Sequence, residues 1–220
     1  MKREVRQLII IVFLLISNIS WSQSLISGWK TGVNLSGMTY RSGYDDIDEE
    51  IAEENVRQFG IDLGVFKEIL LGERWLLNTD VFYQLRRFQV FSLKSYISYL
   101  NINPSIVYRA ANKMTIKSGL NTGILINALN VLEVLDPLTD NPGGSLGTVT
   151  EVRNVNKYYT TFDLQWSAGM EFEISSKLGL EFRGALSLLD LNAKYNTSPG
   201  IKHSKLKFHS ISISTKYYLK

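Results

Sequence analysis

Two pairs of adjacent histidine and serine residues are the side chains best suited to covalent chemistry in this sequence: His203-Ser204 and His209-Ser210. A histidine that takes the proton of a nearby serine hydroxyl, with an acid to orient it, can transfer acyl groups. Such a triad is defined by its geometry and not by adjacency in the sequence. We therefore favour ordinary structural roles for both histidines and keep acyl transfer as the alternative.

An acidic segment is the second feature with chemical potential. Seven of the ten residues in 45–54 are carboxylates: Asp45, Asp46, Asp48, Glu49, Glu50, Glu53 and Glu54. Carboxylate oxygens are the ligands that Ca²⁺ prefers, but the fixed ligand spacing and the sharp-turn glycine of a Ca²⁺ loop are missing. We favour a solvated acidic loop, and Ca²⁺ binding stays open.

Composition excludes several classes of function. The chain has 220 residues, no cysteine and two histidines, which excludes disulfides, thiolate metal sites and a cluster of several histidines. It has 24 Lys and Arg against 21 Asp and Glu, a formal net charge of +3. That excess is too small to indicate a nucleic-acid-binding protein. We expect no cofactor and no nucleic-acid partner.

Residues 1–22 have the three parts of a secretory signal peptide. Lys2, Arg3 and Arg6 form a basic start, and an apolar run covers 8–16. That run is too short to cross a membrane as a helix, so we favour a cleaved signal over an uncleaved anchor. Ser20-Trp21-Ser22 resembles a cleavage site. We predict that residues 23–220 form a single domain after cleavage.

Eight segments of the predicted mature chain alternate between apolar and polar residues with the period of a β-strand. They cover residues 29–37, 58–65, 75–86, 100–108, 114–126, 162–172, 178–188 and 210–219. An even number of antiparallel strands suits a bacterial outer-membrane barrel, with short periplasmic turns and long extracellular loops. The even-numbered segments are followed by short connections: 67–74, 109–113 and 174–177. The odd-numbered segments are followed by long ones: 39–54, 87–95, 127–157 and 190–205. Both termini would then be periplasmic.

The two faces of these segments favour a membrane barrel over a soluble, lipocalin-like one. The polar face is rich in Gly, Asn and Ser, which suit the crowded interior of an eight-stranded barrel. Aromatic residues gather near both strand ends, as membrane-interface girdles require. At the turn end they are Trp29, Trp75, Tyr108, Phe172, Tyr217 and Tyr218, and at the loop end Tyr40, Phe59, Tyr83, Phe88, Tyr96, Tyr158 and Tyr159. We predict an all-β, eight-stranded antiparallel up-and-down transmembrane β-barrel.

Nine charged residues share the parity that faces the barrel interior, the lumen. They are Lys30, Asp62, Asp80, Lys117, Asp163, Glu171, Glu181, Arg183 and Lys216. A lone charge in so narrow a space is costly, so these side chains should pair. Glu181 and Arg183 are two residues apart and could share one network. We favour a salt-bridged plug that closes the barrel, and the alternative is a path for protons or ions.

Four short patterns resemble a known family. They are Gly28-Trp29-Lys30-Thr31-Gly32-Val33-Asn34, Tyr99-Leu100-Asn101-Ile102-Asn103-Pro104, Ser118-Gly119-Leu120-Asn121-Thr122-Gly123 and Trp166-Ser167-Ala168-Gly169-Met170-Glu171-Phe172. From Gly28 to Lys220 the chain resembles the small outer-membrane β-barrel proteins of Bacteroidetes-type bacteria, called PorT-like or porin-family proteins. The resemblance implies a Gram-negative outer membrane, insertion by the barrel-insertion machinery, and contact with outer-membrane lipid and lipopolysaccharide.

Three functions are compatible with these observations. The first, which the resemblance implies, is a non-enzymatic structural component or accessory subunit of an envelope complex for secretion, uptake or barrel assembly. The second is a narrow channel through the polar lumen. The third is a lipid A-modifying barrel enzyme that uses His203 or His209. In the fourth loop region, Lys194, Lys202, Lys205 and Lys207 either meet lipopolysaccharide phosphates or are simply solvated.

Overall fold

The computed structural model describes residues 25–41, 49, 55–91, 93–136, 147–191 and 205–219, so the predicted signal peptide lies outside the described residues. Nine strands account for most of them: β1 (Leu25–Arg41), β2 (Asn55–Leu70), β3 (Trp75–Val90), β4 (Leu93–Ala111), β5 (Met114–Asp136), β6 (Gly147–Asn154), β7 (Phe162–Ser175), β8 (Leu178–Ser187) and β9 (Lys205–Leu219). A 3₁₀ helix, Asn156–Tyr158, precedes β7. Within the described ranges, no helix has the length and apolar character needed to cross a membrane.

Eight of these strands form a closed barrel in which all neighbours are antiparallel. β1 closes it by pairing with both β2 and β9, so that Val33 lies opposite Ile61 on one side and Ile213 on the other. The circuit continues through β3, β4, β5, β7 and β8. The predicted eight-stranded antiparallel barrel is therefore confirmed, and each predicted alternating segment falls on a different barrel strand.

The remaining strand, β6, corrects the prediction that residues 127–157 form a loop. β5 continues to Asp136 and β6 pairs back along it, with Leu129 opposite Asn154 and Leu132 opposite Glu151. The first half of β5 pairs with β7 instead. The sequence signal for the second half of β5 was weak because Val131-Leu132 is an adjacent apolar pair, which breaks the period of two.

The connections differ between the two ends of the barrel. At the turn end the strands are joined by 71–74, 112–113 and 176–177, and this is also where β1 begins and β9 ends, because Ser27 pairs with Leu219. At the loop end the predicted loop 87–95 is wrong, since β3 and β4 pair as far as Val90 and Leu93. Phe91 follows with φ 52°, a left-handed conformation that suits a tight hairpin turn.

The outer face of the barrel is an apolar belt. Val33, Leu63, Leu120 and Ile213 are between 43% and 49% exposed, and the outward residues of β3 from 75 to 85 carry no charge. The inner face carries polar residues and glycines. At Gly64, opposite Phe82, an added Cβ would lie 2.4 Å from the Cβ of Phe82. Glycine at this position leaves room for the phenylalanine ring inside the lumen.

Candidate functional site

All nine charged residues predicted to face the lumen lie inside the barrel, and none is more than 6% exposed. They come from β1, β2, β3, β5, β7, β8 and β9, since antiparallel closure turns the same parity of each strand inward. Two further charged residues that the sequence analysis omitted, Glu68 and Arg86, are buried with them. Together these eleven side chains form what we call the ionic network.

Glu181 is at the centre of the ionic network. The Lys30 ammonium donates a hydrogen bond to Glu181 Oε1 at 2.5 Å and contacts Asp80 Oδ2 at 3.3 Å. Lys117 donates to the second oxygen of Glu181. One carboxylate of β8 thus joins cations of β1 and β5, which approach it from opposite sides of the lumen. A buried carboxylate with two cationic partners is compensated for the loss of water.

Arg183 contacts three carboxylates, and the nearest is not the one on its own strand. Its guanidinium lies 3.4 Å from Asp62 Oδ2 and 3.6 Å from Asp80 Oδ2, but 3.8 Å from Glu181 Oε1. The Phe82 ring centroid lies 4.4 Å from Arg183 Cζ. Because Asp62 has no other cation among the contacts of the described residues, Arg183 is the main compensating charge for Asp62.

A second group of charges lies nearer the turn end. Lys216 contacts Glu68 and lies 3.0 Å from Glu171 Oε2, and its ammonium is 3.9 Å from the Phe66 ring centroid. Tyr218 also donates a hydrogen bond to Glu171. Glu68 was not among the predicted lumen charges because it fell in the predicted connection 67–74, whereas β2 continues to Leu70.

Tyr218 corrects the prediction of a membrane-interface aromatic at that position. Adjacent residues of a strand face opposite sides, so Tyr217 and Tyr218 cannot both face lipid, and it is Tyr217 that faces outward, 45% exposed. Of the other turn-end aromatics, Trp29, Trp75 and Phe172 are 60%, 50% and 38% exposed. Tyr108 packs beside Trp75 with ring centroids 4.8 Å apart.

Arg86 marks the boundary between the ionic network and an apolar region. It donates a 2.7 Å hydrogen bond to Asp163 Oδ2, and its guanidinium carbon lies 4.5 Å from the Tyr99 ring centroid and 5.4 Å from that of Phe208. Its inward parity, shared with Asp80 and Gln84, was visible in the sequence. Arg86 therefore belonged with the nine lumen charges.

An apolar plug, which alternation along the strands did not predict, fills the lumen towards the loop end. It consists of Phe88, Ile97, Tyr99, Ala128, Val155, Leu191, Leu206 and Phe208. The Phe88 and Phe208 ring centroids are 5.5 Å apart. Tyr159 stacks at 6.3 Å from Phe208, and burial against the plug raises the pKa of its hydroxyl to about 12. The signal was present, since apolar side chains replace polar ones on the inward parity beyond Arg86.

Several aromatics predicted for the loop-end membrane interface therefore lie elsewhere. Phe88 is buried in the plug, and Tyr40 and Tyr159 pack against it. Phe59 does face outward, 68% exposed. The physical reason is parity, because Phe88 shares the inward side of β3 with Arg86 while its neighbour Arg87 faces out.

The candidate acyl-transfer residues are not brought together. Ser210 is 7% exposed and faces the lumen, whereas His209 has the opposite, outward parity on β9. His203-Ser204 and nearly all of the acidic segment 45–54 lie outside the described residues. In the described part of the chain, no three His, Asp or Glu side chains form a group that could hold a metal ion. The arrangement supports charge compensation and closure of the lumen.

Comparison with known proteins identifies similar folds. No protein-family model matches the sequence, and comparison with curated proteins finds no match. The crystal structure of Ail, the attachment invasion locus protein of Yersinia pestis, has TM-score 0.50 at 13% identity, covering 90% of this chain and 100% of Ail. Ail in complex with the heparin analogue sucrose octasulfate has TM-score 0.47 at 12% identity, covering 89% and 99%. Neisserial surface protein A has TM-score 0.45 at 10% identity, covering 87% and 97%. The similarity to Ail at TM-score 0.50 concerns the fold alone, and it matches the eight-stranded barrel described above.

Proposed function

We propose that this chain is a closed, non-enzymatic β-barrel of a Gram-negative outer membrane. It would act through its surfaces as a structural component or accessory subunit of an envelope complex for secretion, uptake or barrel assembly. The uncharged apolar belt supports the membrane placement, since a lipid-facing surface must be apolar. By analogy with such barrels, the turns and both termini would be periplasmic and the loops extracellular.

One observation carries the non-conducting part of this proposal: the lumen is filled at two successive levels. Glu181 joins Lys30 and Lys117 across the ionic network, and the rings of Phe88 and Phe208 pack together in the plug. An eight-stranded barrel has room for little beyond its own side chains. A solute would have to displace both paired charges and packed rings.

Conductance of the purified protein in planar lipid bilayers tests whether the lumen is closed to solutes. We expect no steps above the baseline for the wild-type protein. A double variant, Glu181→Ser with Phe208→Ser, removes one large side chain at each of the two levels and should conduct if it folds, which its heat-modified migration on unboiled gels would show. Discrete steps from the wild-type protein would contradict closure and favour the narrow-channel alternative.

Two further measurements test the role at the surface. Gentle detergent extraction followed by mass spectrometry should recover a stoichiometric envelope partner with the tagged barrel and not with an unrelated tagged barrel. Recovery of the barrel alone would contradict the accessory-subunit role. Lipid A from a deletion strain should be unchanged in mass, since His209 and Ser210 face opposite sides. A mass change reversed by the wild-type gene, but not by His209→Ala or His203→Ala, would support the enzyme alternative.

A further inference from the structure

The charges on the outer wall near the loop end are all basic on five consecutive strands. Exposed or outward bases lie on β9, β1, β2, β3 and β4: Lys205, Lys207, Arg41, Arg57, Arg87 and Lys94. The acidic residues described in these strands, Asp62, Glu68 and Asp80, are all buried inside the barrel. We call these six bases the basic rim. At the turn end, by contrast, exposed charges of both signs lie in and beside the turns.

Part of the basic rim lines a groove of about 410 Å³ on the outside of the wall. Its lining residues are Arg57, Gln58, Phe59, Arg87, Lys94 and Tyr96. The Arg87 guanidinium carbon lies 4.9 Å from the Tyr96 ring centroid, which holds the planar group against the wall. Arg57, Arg87 and Lys94 all line this groove, so an anionic oxygen in it would accept charge-assisted hydrogen bonds.

The groove lies directly beside the apolar belt. Phe59, which lines the groove, is 68% exposed, and the next outward residues along β2, Ile61 and Leu63, are 43% and 49% exposed. A ligand that fits both surfaces carries an anionic group next to hydrocarbon chains. Arginine is suited to phosphate because its planar fork of N–H groups matches the phosphate oxygens.

We propose that the basic rim binds the phosphate groups of lipopolysaccharide in the outer leaflet, while its acyl chains cover the belt below the groove. The proposal rests on the outer-membrane placement proposed above. It commits to the acylated phosphate and not to free phosphate, because a soluble anion would leave Phe59, Ile61 and Leu63 without an apolar partner.

The test compares two variants with equal charge change. The rim variant is Arg57→Gln with Arg87→Gln and Lys94→Gln, and the matched control at the turn end is Lys67→Gln with Arg109→Gln and Lys113→Gln. Binding of lipid A with both phosphates, of dephosphorylated lipid A and of inorganic phosphate is measured in detergent by native mass spectrometry and by the thermal unfolding midpoint. Heat-modified migration on gels shows that each variant is folded.

We expect phosphorylated lipid A to bind the wild-type protein and the control, and to bind the rim variant about tenfold more weakly or worse, because charge-assisted hydrogen bonds are lost. Dephosphorylated lipid A should bind the wild-type protein about as weakly as phosphorylated lipid A binds the rim variant. Equal binding by rim variant and control would overturn the proposal, as would stabilisation by inorganic phosphate equal to that by lipid A. The proposal would also be overturned if phosphorylated lipid A bound only after the seven carboxylates of 45–54 were changed to amides. The basic rim would then be assigned to the chain's own acidic segment.

Membrane fractionation separates this inference from the proposed function. If the wild-type protein is absent from the outer-membrane fraction, both fail together. If it is in that fraction and does not conduct, but the rim variant binds lipid A as the control does, only the lipopolysaccharide inference fails.

Discussion

Arg183 is the residue whose removal most directly tests charge pairing in the lumen. Its guanidinium is the cation nearest to Asp62, at 3.4 Å. Arg183→Leu would leave that carboxylate buried with only the amides of Asn34 and Gln84. We expect the free energy of unfolding to fall by about 3–5 kcal/mol, the usual cost of breaking a buried pair from one side. Denaturant unfolding in detergent measures this loss.

A second substitution in the Arg183→Leu protein shows which carboxylate Arg183 compensates. Asp62→Asn in the same protein should recover much of the loss, because it removes the unpaired charge. Glu181→Gln should recover little, since Glu181 is held by Lys30 and Lys117. By contrast, the spacing of Glu181 and Arg183 in the sequence suggests that Glu181→Gln would restore the lost stability. Arg183→Leu with the wild-type unfolding midpoint would mean that the lumen is water-filled.

Gly64 tests the packing of the lumen against a matched glycine on the outer face. An added Cβ at Gly64 would lie 2.4 Å from Phe82 Cβ, whereas at Gly184 the nearest atom is 4.0 Å away. Gly64→Ala should therefore lower the free energy of unfolding by about 1–3 kcal/mol through overpacking. Gly184→Ala should stay within about 1 kcal/mol of the wild type. Equal effects in the same unfolding assay would contradict the close packing of Phe82.

At the scale of the element, β9 contributes to both levels of the lumen. Leu206 and Phe208 belong to the plug, and Lys216 belongs to the ionic network. The residues between them on the same side, Ser210, Ser212 and Ser214, are small and buried. One strand therefore fixes the distance between the two levels.

Phe208→Ala tests the plug through this strand. Phe208 is 2% exposed and packs with Phe88 and Tyr159, so the change should cost about 3–5 kcal/mol of unfolding free energy by opening a cavity. The control on the same strand is Ile211→Ala, because Ile211 faces outward and is 58% exposed. Its cost should be clearly smaller. Similar losses for the two variants would contradict a packed plug.

At the scale of the whole molecule, orientation is open to a direct test. The chain has no cysteine, so single cysteines introduce the only reactive thiols. Ser92→Cys, next to the β3–β4 turn, should be labelled by an impermeant reagent from outside intact cells, as should Ser42→Cys, Ser145→Cys and Ser198→Cys. Ser176→Cys, in the β7–β8 turn, should not. Labelling at Ser176→Cys instead would show the inverted orientation.

A closed barrel also predicts how the whole molecule migrates on gels. A sheet without free edges in its barrel strands gives no starting point for unfolding. We expect a faster band in unboiled samples, a slower one after boiling, and a β-rich circular dichroism spectrum in detergent. A helical spectrum, or full solubility without detergent, would contradict the membrane-barrel proposal.

The sequence by itself determined the barrel strands and the side of the wall on which each residue lies. Side chains of a strand alternate strictly, so Lys30, Asp62 and Glu181 could be assigned to the inside from parity alone. The same rule was sufficient for Arg86 and for the inward Tyr218, and it failed for the second half of β5, where the adjacent apolar pair Val131-Leu132 hid the period.

Only the tertiary structure decided which inward residues meet. Lys30 of β1 binds Glu181 of β8 although β9 separates these strands, and Phe88, Tyr99 and Phe208 form one plug from three strands. Such contacts cross the lumen, so they depend on the stagger and tilt with which the sheet closes. Alternation along a strand carries no information about that stagger. Each strand's sequence therefore predicts its inner face, whereas the pairing of charges across the barrel follows from closure.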